Sequence, residues 1–218
     1  MESLGELIKA GLAAQADPSR AAGQQAYMKS AMPFYGVRAG DVRKLTLTLG
    51  RAAKLSWEQI AAVSRQLWDQ AERREERYAA IELTALAKGR LELVDLYEYQ
   101  VRDGAWWDFT DSIAHRIADL HRSHPQETAE LTRRWAGEDS LWVRRLAIIG
   151  QLGLKQATDK QLLAEVIAAN LADQEFFIRK AIGWALRDLA RTDPEWVRAQ
   201  AASWPLSPLS RREALKHL

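Results

Sequence analysis

Apolar residues recur at spacings of three and four along nearly the whole chain, while β-branched runs are scarce, a pattern that fills one face of a helix and does not suit a strand. Glycine or proline stands between the apolar segments. Examples are Asp17-Pro18, Met32-Pro33, His124-Pro125, Asp193-Pro194 and Trp204-Pro205, where proline starts a helix or ends the one before it. About a dozen short helices are expected, and no strand. A chain of 218 residues can hide roughly 70% of its unfolded surface in one core. No low-complexity tract or flexible linker divides it, so a single all-α domain over residues 1–218 is expected.

A faint repeat organises these helices. Aligned on Ile81, Ile113, Ile148 and Ile182, which lie 32, 35 and 34 residues apart, they carry an apolar residue four positions later each time, at Ala85, Ile117, Leu152 and Leu186. A period of this size with two helices per unit marks an α-solenoid of the HEAT or TPR kind, whose pairs bury their faces against neighbours and present a concave groove. The matches are loose enough that a non-repetitive helical bundle also fits.

Each residue turns about 100° around a helix, so positions six before, two before and two after each isoleucine face away from the core stripe. Those positions hold Trp107 and Asp111 in the second helix, Trp142 in the third and Trp184 in the fourth. Large aromatics where lysine and glutamate ordinarily sit mark either a binding surface or a second buried contact. Trp107 and Asp111 are four apart and share a helix surface, and an indole beside a carboxylate suits a cationic ligand.

The formal charge of +2 conceals an asymmetry: residues 142–218 carry 12 Lys and Arg against 8 Asp and Glu, leaving 19 against 21 elsewhere. Arg144, Arg145, Lys155, Arg179, Lys180 and Arg187, followed by Arg211, Arg212 and Lys216, are placed to follow a phosphate backbone along one side of a groove. An excess this small also fits solvated surface.

Other chemistry finds little support. The absence of cysteine excludes disulfides, thiolate metal sites and a Cys/His nucleophile, and permits a reducing compartment. His115, His121 and His124 read as surface or cap histidines rather than metal ligands, and Glu75-Glu76, inside the charged run from Glu72 to Arg77, reads as solvated helix surface. There is no Gly-rich phosphate loop, nucleophile elbow or dinucleotide fingerprint, so neither a metal nor a cofactor is expected. Glu2 and Glu6 precede an apolar stretch broken by Lys9, unlike a signal peptide, and no run approaches the roughly 18 apolar residues of a membrane span. A cytoplasmic protein is expected, and a monomer, because no coiled-coil stripe is visible.

The segment Trp106-Trp107-Asp108-Phe109-Thr110-Asp111-Ser112-Ile113 resembles a characteristic stretch of the AlkD-like DNA glycosylases, the HEAT-like DNA alkylation repair family. Further stretches agree in the same order: Tyr27-Met28-Lys29 before Gly36-Val37-Arg38, Trp142 to Ile148, Glu175 to Trp184, and Leu206 to Ala214. The resemblance spans almost the whole chain. It implies a stack of HEAT-like helical pairs cradling duplex DNA, and hydrolysis of cationic alkylated purines of the 3-methyladenine and 7-methylguanine type, the first step of base excision repair. Carried over residue by residue, it puts the catalytic aspartate at Asp111, the lesion-facing tryptophans at Trp107 and Trp184, the DNA-backbone arginine at Arg145 and a further cleft residue at Tyr27. The family has one arginine where this chain has Arg144-Arg145, so that assignment stays open between the two.

On that reading a purine alkylated at its 3 or 7 position is already cationic and leaves readily, so the enzyme has chiefly to stabilise an oxocarbenium-like sugar. Asp111 does so electrostatically and orients or deprotonates the attacking water. Trp107 and Trp184 support the positive charge through their ring faces. The alternative is a non-catalytic HEAT-like module that binds DNA or a protein through the same groove.

Overall fold

Every regular element that the computed structural model describes, over residues 3–218, is helical: thirteen α-helices and three short 3₁₀ turns, with no strand among the described residues. Glu2, one of the two acids at the start of the chain, lies outside them. No described helix is long and apolar enough to cross a membrane. Prolines punctuate as expected. Pro18, Pro125, Pro194 and Pro208 open helices, where the missing N–H costs nothing, and Pro33 and Pro205 lie in connections. The helices gather into two compact units, one ending at Lys88 and the other beginning at Gly89.

The first unit comprises α1 (Leu4–Ala14), α2 (Pro18–Met28), α3 (Ala39–Ala53), α4 (Trp57–Asp69) and α5 (Arg74–Leu83). α1, α3 and α4 each pack on α5, and Ile8, Leu12, Val42, Ile60, Leu67, Trp68 and Ile81 form the core. α2 is different, for it buries no residue. Polar bonds hold it instead: Arg20 Nη1 donates to the Gly36 carbonyl at 2.6 Å and Gln24 Nε2 to that of Val37 at 3.1 Å. Gly36 has φ +90, and a Cβ there would stand 2.1 Å from the Asp17 carbonyl oxygen, so only glycine lets the two segments meet.

The same segment corrects one sequence expectation. Glu75 and Glu76 are 0% and 1% exposed rather than solvated. Glu75 accepts the backbone N–H of Tyr35, Gly36 and Val37 at 2.9, 2.8 and 3.1 Å. Glu76 accepts the Tyr35 hydroxyl at 2.7 Å and the Glu72 N–H at 2.7 Å, with Lys9 Nζ 3.9 Å away. Burial is tolerated because each carboxylate is satisfied by several donors. Burial and hydrogen bonding to Glu76 push the Tyr35 hydroxyl well above the usual phenol range.

The second unit comprises α6 (Val94–Gly104), α7 (Trp107–Ser123), α8 (Pro125–Ala136), α9 (Leu141–Ile149), α10 (Lys160–Ala168), α11 (Phe176–Ala190), α12 (Pro194–Ser203) and α13 (Pro208–Ala214). α7, α9, α11 and α13 pack one on the next, and behind them α8 packs on α10, with each front helix also touching a rear one. This is the two-layer stack of helical pairs that the period predicts. Ile113, Ile148 and Ile182 take equivalent buried places in α7, α9 and α11. The position four residues later is less regular. Ala85 and Leu152 fall beyond the ends of α5 and α9, so only Ile117 and Leu186 continue the stripe on their own helix.

Candidate functional site

α6 ends at Ala105 in the left-handed conformation, φ 39, and Trp106 is extended, which turns the chain abruptly into α7. An acid in the first turn, Asp108, accepts the Phe109 N–H at 2.9 Å and complements the positive end of the helix. One turn on, Asp111 leaves α7 toward α9. There Arg145 Nε and Nη2 donate to Asp111 Oδ1 and Oδ2 at 2.8 and 2.9 Å, a planar two-bond pair, while Nη1 donates to the Phe177 carbonyl of α11 at 2.7 Å. One guanidinium thus ties three successive helices of the stack.

Side-chain exposure is 6% for Arg145 and 16% for Asp111. The arginine is sealed in and the carboxylate keeps an edge open. An aromatic cluster forms the seal: the Phe177 ring lies 5.0 Å from Trp142 and 5.7 Å from Trp106, and the Arg145 guanidinium carbon is 5.9 Å from the Phe177 centroid. Phe176 packs edge-on against Phe177 at the rim of the cluster and is itself exposed. Burial pushes the Asp111 carboxyl above the usual carboxylate range; Arg145 pulls against it, and Asp108 adds a smaller upward push. A carboxylate offers about four acceptor positions, so two bonds to Arg145 leave lone pairs for a water or a cationic centre.

Trp107 and Trp184 are half-buried, Trp107 one turn before Asp111 and Trp184 on α11. Trp142 differs from them. It is a second buried contact within the aromatic cluster rather than part of an open face. Tyr27 is exposed at the end of α2, in the first unit.

The basic residues divide. Arg145, expected to face a phosphate, is buried against Asp111. Arg144 clamps the loop before α9, donating to the Glu138 and Asp139 carbonyls at 2.6 and 2.8 Å and to Asp173 at 3.0 Å. Arg179 bonds the Asp173 carbonyl and the Gln174 side chain. Lys180 and Arg187 both pair with Glu213. Arg211 bonds the Ala201 and Trp204 carbonyls and so caps the end of α12. Lys155 and Arg212 are exposed.

Among the histidines, His124 caps the α7–α8 junction with Nε2 3.1 Å from the Gly89 carbonyl, and His115 is exposed. His121 is buried instead of on the surface, and burial lowers its pKa to about 4. No group of metal-ligating side chains forms among the described residues.

Sequence reasoning missed the Asp111–Arg145 pair and the part played by Phe177. A partial signal for the pair was present, since Asp111 stands two residues before Ile113 and Arg145 three before Ile148, at neighbouring positions of adjacent repeats.

An all-α stack of helical pairs, with a largely buried carboxylate that keeps one edge open and is locked by a buried guanidinium beside an aromatic cluster, defines the class of protein. Comparison with known proteins then specifies it. The model of the DNA alkylation repair enzyme family matches residues 8–218. The chain is similar to an Enterococcus faecalis protein described as a predicted DNA alkylation repair enzyme, at 32% identity over 93% of this chain and 96% of that one, with a TM-score of 0.85. AlkD2 from Streptococcus mutans has the same fold, at 18% identity over 84% of this chain and 91% of that one, with a TM-score of 0.67. No curated relative matches the chain. The chain belongs to the DNA alkylation repair enzyme family, which places its role in alkylation repair with DNA as partner.

Proposed function

We propose that the protein is a DNA glycosylase that hydrolyses the N-glycosidic bond of cationic alkylated purines in duplex DNA. The observation that carries this reading is the Asp111 carboxylate, mostly buried with one edge open and held by two bonds from a buried arginine. In the reaction the bond from C1′ to the purine nitrogen breaks, its electron pair neutralises the cationic base, and positive charge moves onto the sugar. Asp111, fixed in advance by Arg145, presents its remaining lone pairs to that charge and to the attacking water, so little reorganisation is needed. Water adds to C1′ and its proton passes to solvent through the carboxylate. Trp107 and Trp184 offer ring faces to the cationic nucleotide. Arg145 serves chiefly to orient Asp111, and phosphate contacts fall to exposed cations such as Lys155 and Arg212.

The test is base release from duplex DNA containing 7-methylguanine. Asp111→Asn keeps the volume and removes the charge, and loss of one such stabiliser costs on the order of 100-fold to 1000-fold in single-turnover rate. A folded Asp111→Asn protein that excises at the wild-type rate removes Asp111 from this role. Wild-type protein that binds duplex but releases no base returns the chain to the class of non-catalytic binding modules.

A further inference from the structure

Lys180, Trp184 and Arg187 stand at i, i+4 and i+7 on α11 and so line one face of it. From α13, Glu213 Oε2 lies 3.1 Å from Lys180 Nζ and 2.6 Å from Arg187 Nη1. The two helices are seated closely: a Cβ on Gly183 would fall 2.4 Å from Glu213 Cβ and 2.9 Å from the Ser210 carbonyl oxygen. Ser210 Oγ also donates to the Arg179 carbonyl at 2.9 Å. A fixed backbone therefore delivers this carboxylate to two cations that flank Trp184 along the helix.

Two cations one above the other, converging on a single anionic oxygen, form the seat that a phosphodiester oxygen would take. We propose that Glu213 is an internal substitute for a DNA phosphate: it fills the Lys180–Arg187 seat and so restrains affinity for undamaged duplex. The inference rests on the glycosylase reading above, in which this face of α11 meets DNA. Its physical basis is counterion release. Each cation that neutralises a phosphate adds to affinity and to its salt dependence, whereas one already neutralised by a carboxylate adds neither. Lys180 and Arg187 hold the Glu213 carboxyl below the usual carboxylate range, so the substitute keeps its charge at neutral pH.

The experiment measures binding of the full chain to a short labelled undamaged duplex between about 50 and 200 mM salt, with thermal melting as the folding control. Glu213→Gln is expected to bind about threefold to tenfold more tightly at the lowest salt, with log affinity steeper in log salt by roughly one unit. Adding Lys180→Met should cancel the gain. Equal or weaker binding by a folded Glu213→Gln, or a gain that survives Lys180→Met, overturns the inference. Should Glu213→Gln not fold, Lys180→Met/Arg187→Gln with Glu213 intact decides: a slope shallower by no more than about one unit, the single charge that one carboxylate leaves on two cations, supports masking, and a slope shallower by about two units overturns it. Wild-type binding without salt dependence overturns the DNA reading itself, whereas salt-dependent wild-type binding that ignores Glu213→Gln overturns this inference alone.

Discussion

Replacing Arg145 by methionine keeps an unbranched apolar stem and removes the guanidinium with its three hydrogen bonds, two to Asp111 and one to the Phe177 carbonyl. With side-chain exposures of 6% and 16%, the pair is shielded from solvent screening, and removing one partner leaves the other charge buried without compensation. Such losses cost about 3–5 kcal/mol. The cost should depend on pH, and its sign follows from Asp111. The folded-state pKa of this carboxyl is already raised by burial and climbs further without the guanidinium. A raised carboxyl contributes stability that is fully present below its unfolded value of 3.8 and lost as pH rises through the folded value. Arg145→Met should therefore be more destabilising at pH 8 than near pH 4.5, and Arg145→Met/Asp111→Asn should recover part of the loss at pH 8. Urea denaturation of the wild type, Arg145→Met, Asp111→Asn and the double variant at both pH values measures this. The acidic limb of single-turnover excision should move to higher pH in Arg145→Met. A cost below about 1 kcal/mol at pH 8, or a double variant no more stable than Arg145→Met, refutes the reasoning.

Three further outcomes are expected. Glu75→Gln, which weakens the acceptor of three backbone N–H groups, should cost about 2–4 kcal/mol in urea denaturation and loosen hydrogen-exchange protection at Tyr35, Gly36 and Val37; unchanged protection would show that the carboxylate does not hold this segment. Lowering of the His121 pKa from 6.5 to about 4 means stability is fully present above pH 6.5 and falls toward pH 4. At about 1.4 kcal/mol for each tenfold change in proton affinity, the loss approaches 3 kcal/mol and should vanish in His121→Asn, as denaturation at several pH values will reveal. Gly183→Ala should lower stability by about 1–3 kcal/mol because its methyl group meets α13, whereas Gly23→Ala, with nothing within 4 Å on α2, should raise it by about 0.5–1 kcal/mol; melting curves that move together would contradict the close seating of α13.

The amino-acid sequence by itself determined the helical class, the sites where proline opens helices and the repeat that puts Ile113, Ile148 and Ile182 in equivalent buried places. It also settled that Trp107 and Asp111 share a helix surface. These properties are local: they depend on 3.6-residue periodicity and on the dihedral limits of proline, which act within one element. The partner of each charge was decided only in three dimensions. Glu75 and Glu76 have the composition of a solvated run, yet the Pro33–Val37 segment supplies donors from some forty residues away and makes their burial favourable. Arg145 and Asp111 sit on different helices, and Trp142 faces away from its own core stripe but into a contact that Phe177 and Trp106 complete. Periodicity fixes the azimuth of a side chain on its own helix, but the medium that the side chain meets, water, counter-charge or another ring, is set by which distant helix packs there.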